Sequence, residues 1–125
     1  MFDHVEFPVG KIVESRRFFK SVLQALGVTE LFFDEGAGSA GFGARDITGL
    51  LVFEAELGLR RLHVCFSASS REQVAAAHAV ALKNGGQDNG DPGYRDHYSP
   101  GYYAAFVFDP DGNNIEFLYR DPSVK

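Results

Sequence analysis

Asp3-His4-Val5-Glu6-Phe7 (DHVEF) and Leu62-His63-Val64-Cys65-Phe66 (LHVCF) are near copies of one strand pattern. In each, a histidine precedes alternating apolar and polar residues. Each then runs into an amphipathic stretch closed by glycine, QALG ending at Gly27 and KNGG ending at Gly86. Both histidine-to-glycine separations are 23 residues, which offsets the two halves by 59. A chain written twice in this way predicts two copies of one supersecondary unit. No linker or composition break divides them, so residues 1–125 should form one domain. Its first module is expected over 1–57 and its second over 60–121, with the junction around Glu56 to Arg61.

Each half reads as a strand, a helix and then further strands. In the first helix Phe19, Val22, Leu23 and Leu26 recur at i, i+3, i+4 and i+7, one apolar face, and Gly27 offers a left-handed stop. The second helix opens at Ser69-Ser70-Arg71-Glu72-Gln73, where either serine can cap and an acid or amide follows three residues on. Its face of Val74, Ala77, Ala81 and Leu82 is mostly small, and Lys83 with Gly85-Gly86 closes it. Further strands are expected over Val28–Phe33, Ser39–Ala44, Gly49–Ala55, Tyr102–Phe108 and Asn113–Tyr119. The last two are joined by DPDGNN, a turn in which Pro110 presets φ and Asp111-Gly112 tolerates the bend. Gln87 to Gly101, broken by glycine and proline, reads as an irregular loop.

Alternate side chains of a strand face opposite sides of its sheet. Val5 and Phe7 therefore share one face and leave His4 and Glu6 on the other. Val64 and Phe66 leave His63 and Cys65 opposite, and Ile115, Phe117 and Tyr119 leave Asn114 and Glu116 opposite. Three strands thus have an apolar face for helices and an ionisable group on the reverse. If a pseudo-two-fold relates the halves, His4, His63 and Glu116 converge, and two imidazoles with a carboxylate suit a divalent metal with open positions. His78 lies beside the apolar face of the second helix and reads as structural or exposed. His97 sits in the loop YRDHYSPGYY, exposed or in contact with substrate, and Cys65 reads as a small core-type residue.

With 45% hydrophobic and 23% charged residues and a net charge of −5, the composition is that of a globular protein. No basic run gives a footprint for nucleic acid or an anionic membrane. No apolar run approaches a transmembrane span, and no signal-peptide pattern is seen. The single Cys65 suits a reducing compartment, so a cytoplasmic location is expected.

The paired HVxF strands, the two strand-helix-strand modules and the closing FVFDPDGNNIEFLY (Phe106–Tyr119) resemble the vicinal oxygen chelate superfamily. This group includes glyoxalase I, fosfomycin-resistance and bleomycin-resistance proteins and extradiol dioxygenases. The resemblance implies an α+β fold of two βαβββ modules. They would form an incomplete mixed barrel around a cleft, with the helices outside. It implies that His4, His63 and Glu116 hold a divalent metal ion (Fe, Mn, Ni, Zn or Co), and that the chain forms a homodimer acting on a small molecule. A glyoxalase-like lyase or isomerase is the first expectation. The alternatives are a non-haem Fe(II) extradiol-type dioxygenase and a metal-free binder of the bleomycin-resistance kind.

Glyoxalase I adds a fourth ligand, a glutamate on the last strand of the first module. Histidine-to-glutamate spacing points here to Leu57, and alignment of Asp46 with Asp111 points to Leu51. Glu54 and Glu56 lie between, so a shifted register would supply one of them. Glu6 and Glu56 are the candidate proton carriers. Tyr98, Tyr102, Tyr103 and His97 are the candidate substrate-binding residues.

Overall fold

Strand alternation and helix stops combine into the same unit twice in the computed structural model, which describes residues 3–58 and 61–125. The first unit runs β1 (Val5–Val9), α1 (Ile12–Ala25), β2 (Thr29–Asp34), β3 (Ser39–Ala44) and β4 (Ile47–Glu54). The second runs β5 (His63–Ser67), α2 (Arg71–Lys83), β6 (Gln87–Tyr94), β7 (Tyr102–Phe108) and β8 (Asn114–Arg120). The expected junction falls partly on residues 59 and 60, outside the described residues. Each half builds its own four-stranded sheet, in the orders β1-β4-β3-β2 and β5-β8-β7-β6. The first strand of each pairs parallel with the last, and the remaining pairs are antiparallel. These are two βαβββ modules with mixed sheets, a helix on one face of each and no closed barrel.

Both helices stop by the same mechanism. Gly27 takes a φ of 83°, Val28 N–H donates to Leu23 O at 2.8 Å, and Gly27 N–H donates to Gln24 O at 3.0 Å. In the second copy Gly85 takes a φ of 94° and Gly86 N–H donates to Ala81 O at 2.9 Å. A side chain at the left-handed position would be strained, which is why glycine stands at both. The two starts differ. Ser70 caps α2 by accepting Gln73 N–H at 3.1 Å, and Gln73 Oε1 reaches back to Ser69 N–H at 2.8 Å. Helix α1 has no cap of its own, and Glu54 at the end of β4 accepts Ile12 N–H at 3.0 Å instead.

Phe7, Val9, Phe18, Phe19, Val22, Phe42 and Val52 of the first module share one hydrophobic cluster with Val74, Ala77, Ala81, Val107, Ile115 and Phe117 of the second. Helices α1 and α2 pack against each other and join the two layers. The small residues of α2 allow close approach to α1 as well as to its own sheet, but Leu82 is exposed rather than part of the face. At position 86 a side chain would collide with Phe18 and with the end of α2, so only glycine fits the seam.

The predicted loop from Gln87 to Gly101 is corrected over its first half. Gln87–Tyr94 is an edge strand paired with β7, with irregular register between Asp88 and Gly90 and between Gly90 and Gly93. Its glycines and Pro92 hid the alternation. A sheet edge accommodates them because proline there forfeits no ladder bond and bulges absorb the extra residues.

The DPDGNN turn does more than reverse the chain. The buried Asp109 accepts backbone N–H bonds from Asp111 at 3.0 Å and Asn113 at 2.8 Å, and the Asn113 amide at 2.9 Å. Asn113 Oδ1 in turn accepts Leu62 N–H at 2.9 Å, which seats the start of β5 beside β8. Asp111 Oδ2 accepts Gly10 N–H at 3.0 Å, tying this turn to the first module.

Candidate functional site

Parallel pairing of β5 with β8 sets Cys65 opposite Glu116, and antiparallel pairing of β7 with β8 sets Phe106 opposite Glu116. Alternation then brings His63, Cys65, Glu116, Phe106 and Tyr102 onto the face of the second sheet that α2 leaves uncovered. Glu116 is buried, yet both its oxygens are engaged. Oε1 lies 3.1 Å from His63 Nε2, and Oε2 accepts a short hydrogen bond from the Tyr102 hydroxyl. His63, half exposed, has its Nδ1 3.1 Å from the main-chain oxygen of Asn114. A carbonyl can only accept, so Nδ1 carries a proton and Nε2 is the nitrogen that faces Glu116. At that distance either a proton on Nε2 or a metal cation joins the two groups. Orientation of a ligating imidazole by a carbonyl bond at its other nitrogen is the arrangement metal sites use.

Two neighbours of Glu116 are held in their neutral forms. Burial first, then the bond to Glu116, push the Tyr102 phenol well above the ordinary tyrosine range. It therefore remains a donor to Glu116. Cys65 opens on the cleft, but desolvation by the sheet around it, followed by the Glu116 charge, raises its thiol as well. It is a poor thiolate nucleophile here.

The other predicted residues are distributed unevenly. His4 is exposed, with Nδ1 2.8 Å from Asp3 Oδ1 and Nε2 3.9 Å from Glu6 Oε1. The Asp3 bond raises its proton affinity. Within the single chain its ligand atoms do not gather with those of His63 and Glu116. Among the described residues, three such atoms lie within 4.8 Å of one another only at His78, Asp88 and Asp91. That group joins α2 to the edge strand β6, with the buried His78 Nε2 2.9 Å from Asp88 Oδ1. Glu6 and His63 line the same hollow between β1 and β5, about 330 Å³ in volume, together with Pro8, Leu57, Arg61 and Leu62. Glu56 lies elsewhere, exposed beyond β4 beside Gly10 and Glu54.

Tyr98 packs edge-on to Tyr102 at 5.1 Å between ring centres, and His97 stands 4.3 Å from Tyr98. Of these three, Tyr102 reaches Glu116, and Tyr98 and His97 follow it outward in a chain of ring contacts. Tyr103 faces the other way, against Tyr94 at 5.0 Å and the core. Phe106, stacked 6.5 Å from His63, was not singled out from the sequence, and neither was the Asn114 carbonyl. The strand register, with Phe106 level with Glu116, is the signal that finds Phe106.

A family model described as the Glyoxalase/Bleomycin resistance protein/Dioxygenase superfamily matches residues 1–117. The chain belongs to this superfamily. Among solved structures, a glyoxalase/bleomycin resistance protein from Albidiferax ferrireducens T118 is similar at 28% identity and a TM-score of 0.81, covering 96% of this chain and 99% of that one. A glyoxalase-related enzyme from Fulvimarina pelagi matches at 17% identity and a TM-score of 0.72, covering 100% and 96%. A V278E mutant of glyoxalase I from Zea mays matches at 20% identity and a TM-score of 0.67, covering 94% of this chain and 45% of that one. These last two likenesses bear on the fold alone. Comparison with curated proteins found no match.

For a member of the glyoxalase superfamily, the register answers the question of a fourth ligand. In the second module Cys65 pairs with Glu116, and in the first Glu6 pairs with Leu51. Leu51 therefore stands where a carboxylate would mirror Glu116. Of the two positions inferred from spacing, this is the one the sheet supports. Glu54 does not replace it, because it pairs with Val9 on the helix side and caps α1. The donor set on the open face fits a divalent cation through His63 Nε2 and Glu116 Oε1, with no carboxylate at the first module's equivalent position. No helix among the described residues is long and apolar enough to cross a membrane.

Proposed function

We propose that the protein is a metal-dependent enzyme acting on a small molecule that presents two neighbouring oxygens, a glyoxalase-like lyase or isomerase. The observation that carries this is the His63–Glu116 pair. His63 Nε2 and a buried carboxylate oxygen of Glu116 face each other on an open sheet face, with the imidazole oriented by the Asn114 carbonyl at Nδ1. His63 and Glu116 would hold the ion, with His4 completing the set from a second copy of the chain. When bound, a divalent metal supplies Lewis-acid stabilisation of oxyanion character on the substrate. Tyr102 orients Glu116 and stays protonated. Glu6, in the hollow it shares with His63, is the group placed to carry a proton. The single free thiol accords with a cytoplasmic location.

The test is elemental analysis of protein purified without chelator. Close to stoichiometric metal, lost in His63→Ala, is expected. Substoichiometric metal unchanged in that variant would leave only a metal-free binding protein.

Leu51 favours a second reading. Lacking a carboxylate there, the site offers no more than two histidines and one glutamate, the set used by non-haem iron dioxygenases. Turnover of catechols with Fe(II) and oxygen, and none of hemithioacetals with Ni(II), Mn(II) or Zn(II), would select it over the glyoxalase-like reaction.

A further inference from the structure

The open face of the second sheet carries cations as well as the metal-ligand pair. Arg120 lies on the same side of β8 as Glu116 and Leu118, opposite Tyr102 in the ladder, and its guanidinium carbon sits 5.3 Å from the centre of the Tyr102 ring. It is exposed, and no carboxylate among the described residues pairs with it. Its sequence neighbour Asp121 is engaged elsewhere, accepting from the Tyr94 hydroxyl at 2.7 Å and from Ser123. The charge of Arg120 is felt by Cys65 and Tyr102, both of which it biases toward deprotonation against the effect of burial.

Arg95 flanks the same face from β7's other neighbour. Its guanidinium carbon is 5.4 Å from the Phe106 ring centre, and it bonds the carbonyls of Gly93 at 2.9 Å and Asp91 at 2.8 Å. Gly90 makes room for it, since a Cβ there would come within 3.1 Å of Arg95 Nη2. Two guanidinium groups thus lie over the two aromatic rings that border Glu116. In a chain of net charge −5 these are two cations placed on the face that carries Glu116.

We propose that Arg120, seconded by Arg95, binds an anionic group of the substrate. The substrate class is then a small, flat molecule carrying a carboxylate in addition to its two neighbouring oxygens. This rests on the metal-dependent reading above. A guanidinium presents several N–H donors in a plane that matches a carboxylate, and those of Arg95 are only partly used by its carbonyl bonds. Tyr102 and Phe106 supply flat walls, and Tyr98 extends them.

The test compares 3,4-dihydroxybenzoate with catechol by calorimetry on Co(II)-loaded wild type and Arg120→Gln, at one ionic strength. Arg120 is exposed, and an unchanged urea midpoint would confirm that the variant folds. The expected result is binding of the carboxylate compound at least tenfold tighter than catechol by wild type, with that preference lost in Arg120→Gln while catechol binding persists. An equal preference in both proteins, or none in wild type, overturns the proposal. A metal-free arm separates the two readings. Benzoate bound by metal-free wild type but not by Arg120→Gln, with catechol unbound even after Co(II) loading, keeps the anion site and sinks the metal site. Benzoate bound equally by both, or by neither, with catechol again unbound, sinks the anion site too.

Discussion

Glu116 shows how one side chain can be dictated by its surroundings. Burying a carboxylate is costly unless its oxygens are paired, and here His63 takes one and Tyr102 the other. Replacing Tyr102 by Phe would strand Oε2 with the rest of the pocket intact. Outer partners of a ligating group commonly govern metal affinity by 10–100-fold. Tyr102→Phe should therefore weaken metal binding by about tenfold, measured by competition with a chelating dye. Affinity within twofold of wild type would show that the hydroxyl does not position Glu116. The alternation of the three strands, read from residues alone, already put His63 and Glu116 on one face. It gave no hint that Tyr102 would reach along the sheet to Glu116, because such reach depends on strand register. Tyr103, its neighbour in sequence, goes to the core because adjacent strand residues face opposite sides.

At the level of elements, the clearest stabilising contact outside the cleft joins α1 to β2. Arg16 Nε and Nη2 donate to Glu30 at 2.6 and 2.8 Å, and the guanidinium also lies 4.6 Å from the centre of the Phe33 ring. The Arg16 bond depresses the Glu30 carboxyl below the ordinary glutamate range. Its contribution is therefore fully present above that range and disappears as pH falls through the depressed folded-state value. The pair is partly solvated, so about 1 kcal/mol is expected. Urea unfolding should show Glu30→Gln less stable than wild type by roughly that amount at pH 6, with the gap closing toward pH 2. A gap that stays constant with pH would mean the ion pair contributes nothing. The helices and their stops were readable from periodicity and glycine. Strand β6 was not, because its bulges and Pro92 erase the two-residue period that marks a strand.

Across the whole molecule, the location of His4 bears on the proposed metal site. His63 and Glu116 meet in one sheet, while His4 directly precedes the first strand of the other and, among the described residues, its ion pairs are with Asp3 and Glu6. If a second copy supplies His4, each metal site uses His4 from one chain and His63 with Glu116 from the other. Heterodimers of His4→Ala with His63→Ala, isolated through two different tags, would then keep one intact site. They should bind one ion per two chains, although neither variant binds metal alone. No metal in the purified heterodimer would place all ligands within one chain, whereas metal bound by His4→Ala alone would remove His4 from the site.

The repeat, the helix caps, the DPDGNN turn and the side of each strand on which an ionisable group stands are all local in origin. They follow from propensity, spacing and alternation, and the HVxF pair with FVFDPDGNNIEFLY was enough to suggest the family. Tertiary structure decided the rest. Parallel pairing of β1 with β4 put Leu51, rather than Glu54 or Glu56, at the position mirroring Glu116. Packing of α1 on α2 made one core from two halves. The distance between His4 and His63 belongs to the same class, because equivalent places in a repeat fix a direction for each side chain and leave the separation to the packing of the two sheets.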